Sequence, residues 1–264
     1  MRTYLSKLFL VATASLAAYA QTPVVSSGGV SNAANGLSTV TPGSLVSIYG
    51  TNLAAGLAQA DSVPLSTTLN NVSVTFNGVA APLLFVSTGQ INAQLPWNVL
   101  SSGTTGTANV VVTRNNQPSA PQSLSVGPFS PGIFAIGNIA VAINPDGSIA
   151  APPGAIPGIT TTPAKIGDPG GLEILCTGLG AVDSTPANGA ASLDKLRTET
   201  TTPTVMIGGK AANVVFAGLS PQFVGVNQIN VAIPAGTQTG DAVPLQISLG
   251  GVTTSATITI AVSN

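Results

Sequence analysis

Beyond residue 20, apolar and polar residues alternate with a period of two, and turn residues interrupt the alternation about every eight to twelve positions. Val72, Val74 and Phe76 alternate with polar residues and are followed by Asn77-Gly78. A two-residue hairpin needs positive φ at both central positions, which Asn and Gly tolerate best. Helical periodicity is scarce. The pattern therefore predicts an all-β chain of short strands.

The strands fall into two series. The alternation predicts strands over 45–49, 72–76, 82–86, 90–95, 107–113 and 122–126, and then over 172–177, 204–207, 213–217, 229–233, 243–249 and 256–262.

The two series are an internal repeat. The run VTFNGVAAPLLFV at 74–86 parallels VMIGGKAANVVFA at 205–217, and GQINAQLP at 89–96 parallels NQINVAIP at 227–234. Two copies with about seven short strands each favour two tandem immunoglobulin-like β-sandwiches. A single β-barrel is the alternative architecture.

The repeat sets the expected domains: an N-terminal segment over 21–38, a first sandwich over 39–128, and a second sandwich over 163–264. Between them, 129–162 contains a hairpin around Asn144-Pro145-Asp146-Gly147 and a Pro/Gly/Thr-rich connector, which we expect to be extended and stiff.

Residues 1–20 predict a secretory signal peptide. Arg2 and Lys7 provide a positive start, Leu8–Ala18 is apolar, and Ala18-Tyr19-Ala20 is a cleavage pattern. The apolar run is short for a membrane span. We therefore expect a secreted protein without a membrane span after cleavage, with the periplasm or the cell surface as alternative locations.

Composition excludes several functions. The 264 residues include 7 Lys+Arg, 8 Asp+Glu, 1 Cys and no His. Such a balance offers no basic surface for nucleic acid. Without His, neither a Ser-His-Asp triad nor a His-ligated metal is available, and one Cys forms no internal disulfide. We expect no cofactor and no metal.

Five motifs in order resemble a domain family found at the C-termini of secreted proteins of soil bacteria. They are NAANGLSTVTPGSLVSIYGTNLA at 32–54, VTFNGVAAPLLFVSTGQINAQLPW at 74–97, PGIF at 131–134, AVAINPDGSI at 140–149 and LCTGLG at 175–180. The halves of that family are similar to IPT/TIG-type immunoglobulin-like folds. The resemblance implies fold and secretion, and it supplies no catalytic residue.

Candidate chemistry is sparse. Trp97 and Tyr49, each at the end of a predicted strand, are candidates for a sugar-stacking platform, although both positions also suit packing in a sandwich. Asp146 and Asp168 are the acid pair that best fits a hydrolase. Cys176 lies in an apolar strand, where a small buried hydrophobe is the expected role.

The sequence therefore predicts a secreted, non-enzymatic binding or structural module for adhesion or docking. Its expected partner is an extracellular protein or polysaccharide, because a surface rich in Thr, Ser, Asn, Gln and Gly suits neutral ligands. A carbohydrate-binding module is the first alternative, and a hydrolase that uses loop carboxylates is the second.

Overall fold

The computed structural model describes residues 22–264, and these residues contain β-strands and no helix. The predicted signal peptide lies outside the described residues. The first lobe, residues 22–128, contains twelve strands: β1 (Val24–Asn32), β2 (Thr39–Val40), β3 (Leu45–Thr51), β4 (Ala58–Gln59), β5 (Thr68–Leu69), β6 (Val72–Phe76), β7 (Val79–Ala80), β8 (Leu83–Val86), β9 (Gln90–Gln94), β10 (Gly106–Arg114), β11 (Gln117–Pro118) and β12 (Gln122–Val126).

The second lobe, residues 129–264, contains twelve more: β13 (Gly132–Ile133), β14 (Ala135–Ile136), β15 (Ile139–Ala140), β16 (Ala142–Ile143), β17 (Ala164–Lys165), β18 (Leu172–Thr177), β19 (Thr204–Ile207), β20 (Lys210–Leu219), β21 (Asn227–Ala232), β22 (Gly240–Leu249), β23 (Val252–Thr253) and β24 (Thr259–Ser263). The predicted all-β fold class is confirmed, and the chain forms two tandem immunoglobulin-like β-sandwiches.

Two sheets face each other in the first lobe. One has the order β1-β3-β9-β8-β4, and the other has the order β2-β12-β10-β6-β5, with β7 and β11 beside it. Alternate residues of each strand point between the sheets, so Ile48, Phe76, Ile91 and Val110 are fully buried in one core.

The second lobe repeats these pairings with one difference, which concerns β20. Residues 213–219 of β20 pair with β21, whereas residues 210–212 pair with β19. One long strand thus crosses between the two layers, where the first lobe uses β7 and β8 separately. A single path of hydrogen-bonded strands therefore runs through both layers of the second lobe.

Two-residue hairpins connect the equivalent strands. Asn77 and Gly78 have φ of 50° and 80°, and Gly208 and Gly209 have φ of 56° and 76°. Phe76 pairs with Val79 across the first of these turns, so two residues make each connection. The hairpin predicted at Asn77-Gly78 is confirmed, and it forms because these residue types tolerate the left-handed region.

Two segments assigned outside the sandwiches contribute strands to the sheets. Within 21–38, β1 pairs antiparallel with β3, and within 129–162, β13 and β16 pair with β18. These strands are short or rich in Gly and Ser, so their alternation is weak in the sequence.

The connector is compact and not extended. Its backbone turns back on itself, and Thr161 forms a parallel bridge with Ile149. Ile149, Ala151 and Ile156 form a small buried cluster of their own. The buried Ile156 is the physical reason: an apolar side chain within a Pro/Gly-rich loop is stabilised by folding onto a neighbour.

The two lobes contact each other directly. Leu45 of the first lobe packs with Leu175 and Val226 of the second in a cluster separate from either core. Hydrogen bonds cross the same boundary, including Asn32 Nδ2 to the Ser130 carbonyl at 2.8 Å. The junction therefore has its own buried contacts, and it places loops of both lobes around one cleft.

Candidate functional site

A cleft of about 400 Å³ lies where the two lobes meet. It is built by loops, and its walls come from both lobes. The lining residues are Thr41, Pro42, Trp97, Gly103, Thr104, Pro128, Phe129, Gly180, Ala181, Thr185 and Thr200. None of them carries a charge, so the cleft suits a neutral ligand with apolar surface.

Trp97 forms part of the first-lobe wall. It follows β9, and its backbone N–H donates to Asn188 Oδ1 of the second lobe at 2.9 Å. Its six-membered ring lies against Gly43, where an added Cβ would overlap the ring. The indole Nε1 is buried and has no hydrogen-bond partner among the described residues.

Phe129 lines the second-lobe side of the cleft. Its ring lies between two glycines of the second lobe, Gly180 and Gly250, and a Cβ at either position would overlap the ring or crowd it. Both glycines have positive φ, of 111° and 56°. Glycine at these positions therefore allows the aromatic ring to approach the backbone closely.

Hydrogen-bonding capacity is left unused at the cleft. Thr41, which is 2% exposed, has a buried hydroxyl oxygen with no partner among residues 22–264, as does the Trp97 indole nitrogen. A buried polar group without a partner costs about 1–3 kcal/mol. Both groups are buried within the wall, so they add to the energetic cost of this part of the fold.

A buried carboxyl group is adjacent to the cleft in sequence. Glu199 precedes the lining residue Thr200, and its Oε1 accepts a hydrogen bond from Asn227 Nδ2 at 2.7 Å. Burial raises the pKa of Glu199 to about 8; the bond from Asn227 opposes this rise, and nearby Asp183 adds to it. The group is therefore largely protonated at neutral pH.

Tyr49 lies elsewhere, on the outer face of the β3-β9-β8-β4 sheet. It is 45% exposed and pairs across the strands with Gln90. It does not line the cleft. The structure therefore places the two candidate aromatic residues, Trp97 and Tyr49, on different surfaces, and their role in ligand binding stays a prediction.

The two hydrolase candidates have structural partners. Asp146 Oδ1 accepts hydrogen bonds from the Ser148 hydroxyl at 2.6 Å and from the Ser148 backbone at 2.9 Å, which lower the pKa of Asp146. Asp168 Oδ1 accepts from the Gly170 backbone at 2.9 Å. Neither carboxyl group lines the cleft. Both arrangements are those of side chains that stabilise turns.

Cys176 is fully buried in the second core. Burial raises the pKa of its thiol well above the usual range, and Glu199 adds to this rise. A thiol in these surroundings remains protonated, so it acts in packing and not as a nucleophile.

Residues 22–264 contain no group of three or more His, Cys, Asp or Glu side chains placed to hold a metal ion. No helix within this range has the length and apolar character that a membrane crossing requires.

Several cleft residues were missed at the sequence level. Thr41, Phe129 and Thr200 lie far apart in the sequence and in predicted loops. Only Trp97 carried a signal, because a large aromatic residue directly after a repeated strand stands out. The close approach of Phe129 to two glycines depends on the contact between lobes, which no local pattern reports.

The fold and sequence together define the first lobe as an immunoglobulin-like domain of a known class. Residues 36–126 match the IPT/TIG domain family, so the chain contains an IPT/TIG domain. A comparison with curated proteins found no match.

Solved structures that match this chain include a plexin, a glucan-utilization protein and titin. The full extracellular region of plexin A4 is 12% identical with a TM-score of 0.29, over 91% of this chain and 18% of that one. The Bacteroides ovatus mixed-linkage glucan utilization locus SGBP-B, solved with a mixed-linkage heptasaccharide, is 12% identical with a TM-score of 0.30, over 86% and 43%. The titin I9-I11 tandem is 13% identical with a TM-score of 0.23, over 92% and 66%.

Proposed function

We propose that this protein is a secreted, non-enzymatic binding module that presents an uncharged cleft between two connected immunoglobulin-like lobes. The observation that carries the proposal is the composition of the cleft: two aromatic residues, Trp97 and Phe129, and threonines from both lobes, with no charged side chain. Apolar walls supply affinity and a few hydroxyl groups supply orientation, as in other small-ligand sites.

The surroundings of the acids favour binding over catalysis. General acid/base chemistry needs groups that converge on a substrate with suitable pKa values. Asp146 and Asp168 instead accept hydrogen bonds within their own turns. Secretion is supported by the predicted signal peptide and by the resemblance to domains of exported proteins.

The cleft can be tested by fluorescence, because Trp97 is the only tryptophan. We expect a ligand that enters the cleft to shift the emission of Trp97. The probes are soluble neutral polysaccharides and purified extracellular proteins, with prolonged incubation to detect cleavage products. A saturable shift with an intact ligand supports the proposal, whereas product release that Asp146→Asn or Asp168→Asn abolishes would establish a hydrolase instead.

A further inference from the structure

We propose a second binding surface on the outer face of the first lobe, and we infer that it takes a neutral polysaccharide chain. The surface, here called the amide face, consists of Tyr49, Phe85, Gln59, Gln90 and Asn92. This inference rests on the proposed binding function and assigns it a further site and a ligand class.

Strand register places these side chains on one side of the sheet. Asn92 of β9 pairs with Ser47 of β3 and Phe85 of β8, and Phe85 pairs in turn with Gln59 of β4. Residues directly opposite each other on neighbouring strands point to the same face. A row of side chains therefore crosses four strands, and Gln90 with its partner Tyr49 lies next to it.

A groove follows this row. It has a volume of about 450 Å³ and is lined by Gln59, Ala60, Leu84, Phe85, Gln90 and Asn92. Leu84 is the extra residue of a β-bulge between β8 and β9, and it is 37% exposed. The bulge adds an apolar rim beside the amides, and no lining residue is charged.

The amides are ordered and have free hydrogen-bonding groups. Asn92 Oδ1 accepts from Gln90 Nε2 at 2.8 Å and from the Ser47 hydroxyl at 3.1 Å. Within the described part of the chain, Asn92 Nδ2 and Gln90 Oε1 form no hydrogen bond. A fixed donor therefore lies beside a fixed acceptor, between the aromatic residues Tyr49 and Phe85.

The repeat contains the same pair in a different setting. Gln228 Nε2 donates to Asn230 Oδ1 at 2.9 Å, and Phe216 lies opposite Asn230. However, Leu175 replaces Tyr49 in the position facing the glutamine and is buried between the lobes, and Glu173 faces Asn230. The second copy therefore lacks the exposed tyrosine and has a carboxylic acid where the first copy has Ser47.

A polysaccharide fits the amide face better than a peptide does. The backbone of β9 is paired with β3 on one side and β8 on the other, so it cannot accept an added strand. A ligand that lies over β9 is therefore contacted by side chains. A sugar ring offers C–H faces to aromatic residues and hydroxyl groups that both donate and accept, which matches the free amide groups.

The test is native electrophoresis of the purified protein in gels that contain one polysaccharide each. The neutral probes are hydroxyethylcellulose, glucomannan and dextran, and polygalacturonate is the anionic probe. We expect at least one neutral polymer to retard the protein. The double variant Gln90→Ala/Asn92→Ala should bind that polymer at least about tenfold more weakly, because two hydrogen bonds and the ordered amide pair are lost.

The matched control is Gln228→Ala/Asn230→Ala, which makes the same change in the second lobe and should retain full binding. Tyr49→Ala, at an exposed position, should weaken binding without unfolding. Binding that the first double variant leaves unchanged would overturn the amide face while leaving the proposed function intact. The ligand class would be overturned if no neutral polymer retarded the protein, or if polygalacturonate retarded it equally.

Discussion

Thr177 of the second lobe accepts a hydrogen bond from the backbone N–H of Leu45 in the first lobe, at 3.1 Å. The same hydroxyl group donates to the carbonyl of Gly225 at 2.7 Å, and Thr177 is fully buried. One side chain thus satisfies two backbone groups at the junction of the lobes. Buried backbone groups need such partners, so Thr177 stabilises the contact between the lobes.

We expect Thr177→Val to weaken the junction. Valine has a similar shape but no hydroxyl group, so the Leu45 N–H and the Gly225 carbonyl would lose their partner inside the protein. An unsatisfied buried group costs about 1–3 kcal/mol, and we expect the free energy of unfolding to fall by about 2–4 kcal/mol. Urea denaturation measures this change.

The control for this prediction is Thr253→Val. Thr253 is exposed on β23, and its hydroxyl group bonds only to Ser248. Loss of this hydroxyl group should change the free energy of unfolding by about 0.5 kcal/mol or less. Equal stability of Thr177→Val and the natural protein would show that water replaces the hydroxyl group and that the bridge does not hold the lobes.

Local chemistry made part of the fold predictable. The Asn77-Gly78 hairpin follows from the backbone freedom of two residues, and strands such as β6 follow from strict alternation. β1 was not predicted because its sequence, VVSSGGVSN, contains a positive-φ glycine and few strand-forming side chains. Its pairing with β3 comes from tertiary context.

The candidate sites were less predictable, because they also depend on tertiary context. Trp97 could be nominated as a single aromatic residue, but its neighbours Thr41 and Phe129 reach the cleft only when the lobes dock. Gln90 and Asn92 were visible as part of the repeat. Their pairing with an exposed Tyr49 and a bulged strand depends on register, which alternation alone does not fix between distant strands.

A prediction about the cleft concerns Gly43. We expect Gly43→Ala to displace the Trp97 ring, because the new Cβ would overlap it. Overpacking of this kind costs about 1–3 kcal/mol, and the emission of Trp97 should shift as the ring moves. Fluorescence spectra and urea denaturation measure both effects on one sample.

Gly103→Ala is the control for Gly43→Ala. Both glycines line or flank the cleft and have positive φ, of 84° and 72°, but nothing lies within 4 Å of a Cβ at Gly103. Both variants therefore carry backbone strain, but only Gly43→Ala makes a side chain overlap Trp97. Identical emission spectra for the two variants would contradict the packing described for Trp97.

A prediction about the loop between β18 and β19 concerns Gln94. Its Oε1 accepts from the Gly189 backbone at 2.7 Å, and Gln94 is 1% exposed. We expect Gln94→Ala to loosen the attachment of this loop to the first lobe, so that trypsin reaches Lys195 more often. A loss of about 1–2 kcal/mol corresponds to about 5–30-fold faster cleavage.

Gln59→Ala provides the comparison, because Gln59 is exposed on the same lobe and makes no contact with that loop by hydrogen bonds. Mass spectrometry of the fragments identifies the cut. Cleavage at Lys195 at the same rate in Gln94→Ala, Gln59→Ala and the natural protein would show that the bond to Gly189 does not restrain the loop.

The last prediction is a pH dependence of stability that comes from Glu199. Its pKa of about 8 in the folded protein lies above the ordinary value of 4.5, because the carboxyl group is buried. Between these values, the folded state holds a proton that the unfolded chain has released. The contribution of Glu199 to the free energy of unfolding is therefore complete below about pH 4.5, and it is lost as the pH rises towards 8.

We expect Glu199→Gln to remove this dependence, since the amide keeps the bond from Asn227 and never ionises. The variant should equal the natural protein near pH 5 and exceed it in stability near pH 9, as measured by urea denaturation across that range. Thr253→Val, which changes an exposed side chain and no ionisable group, should keep the natural profile. Parallel profiles for Glu199→Gln and the natural protein would mean that Glu199 reaches solvent and ionises in the folded state.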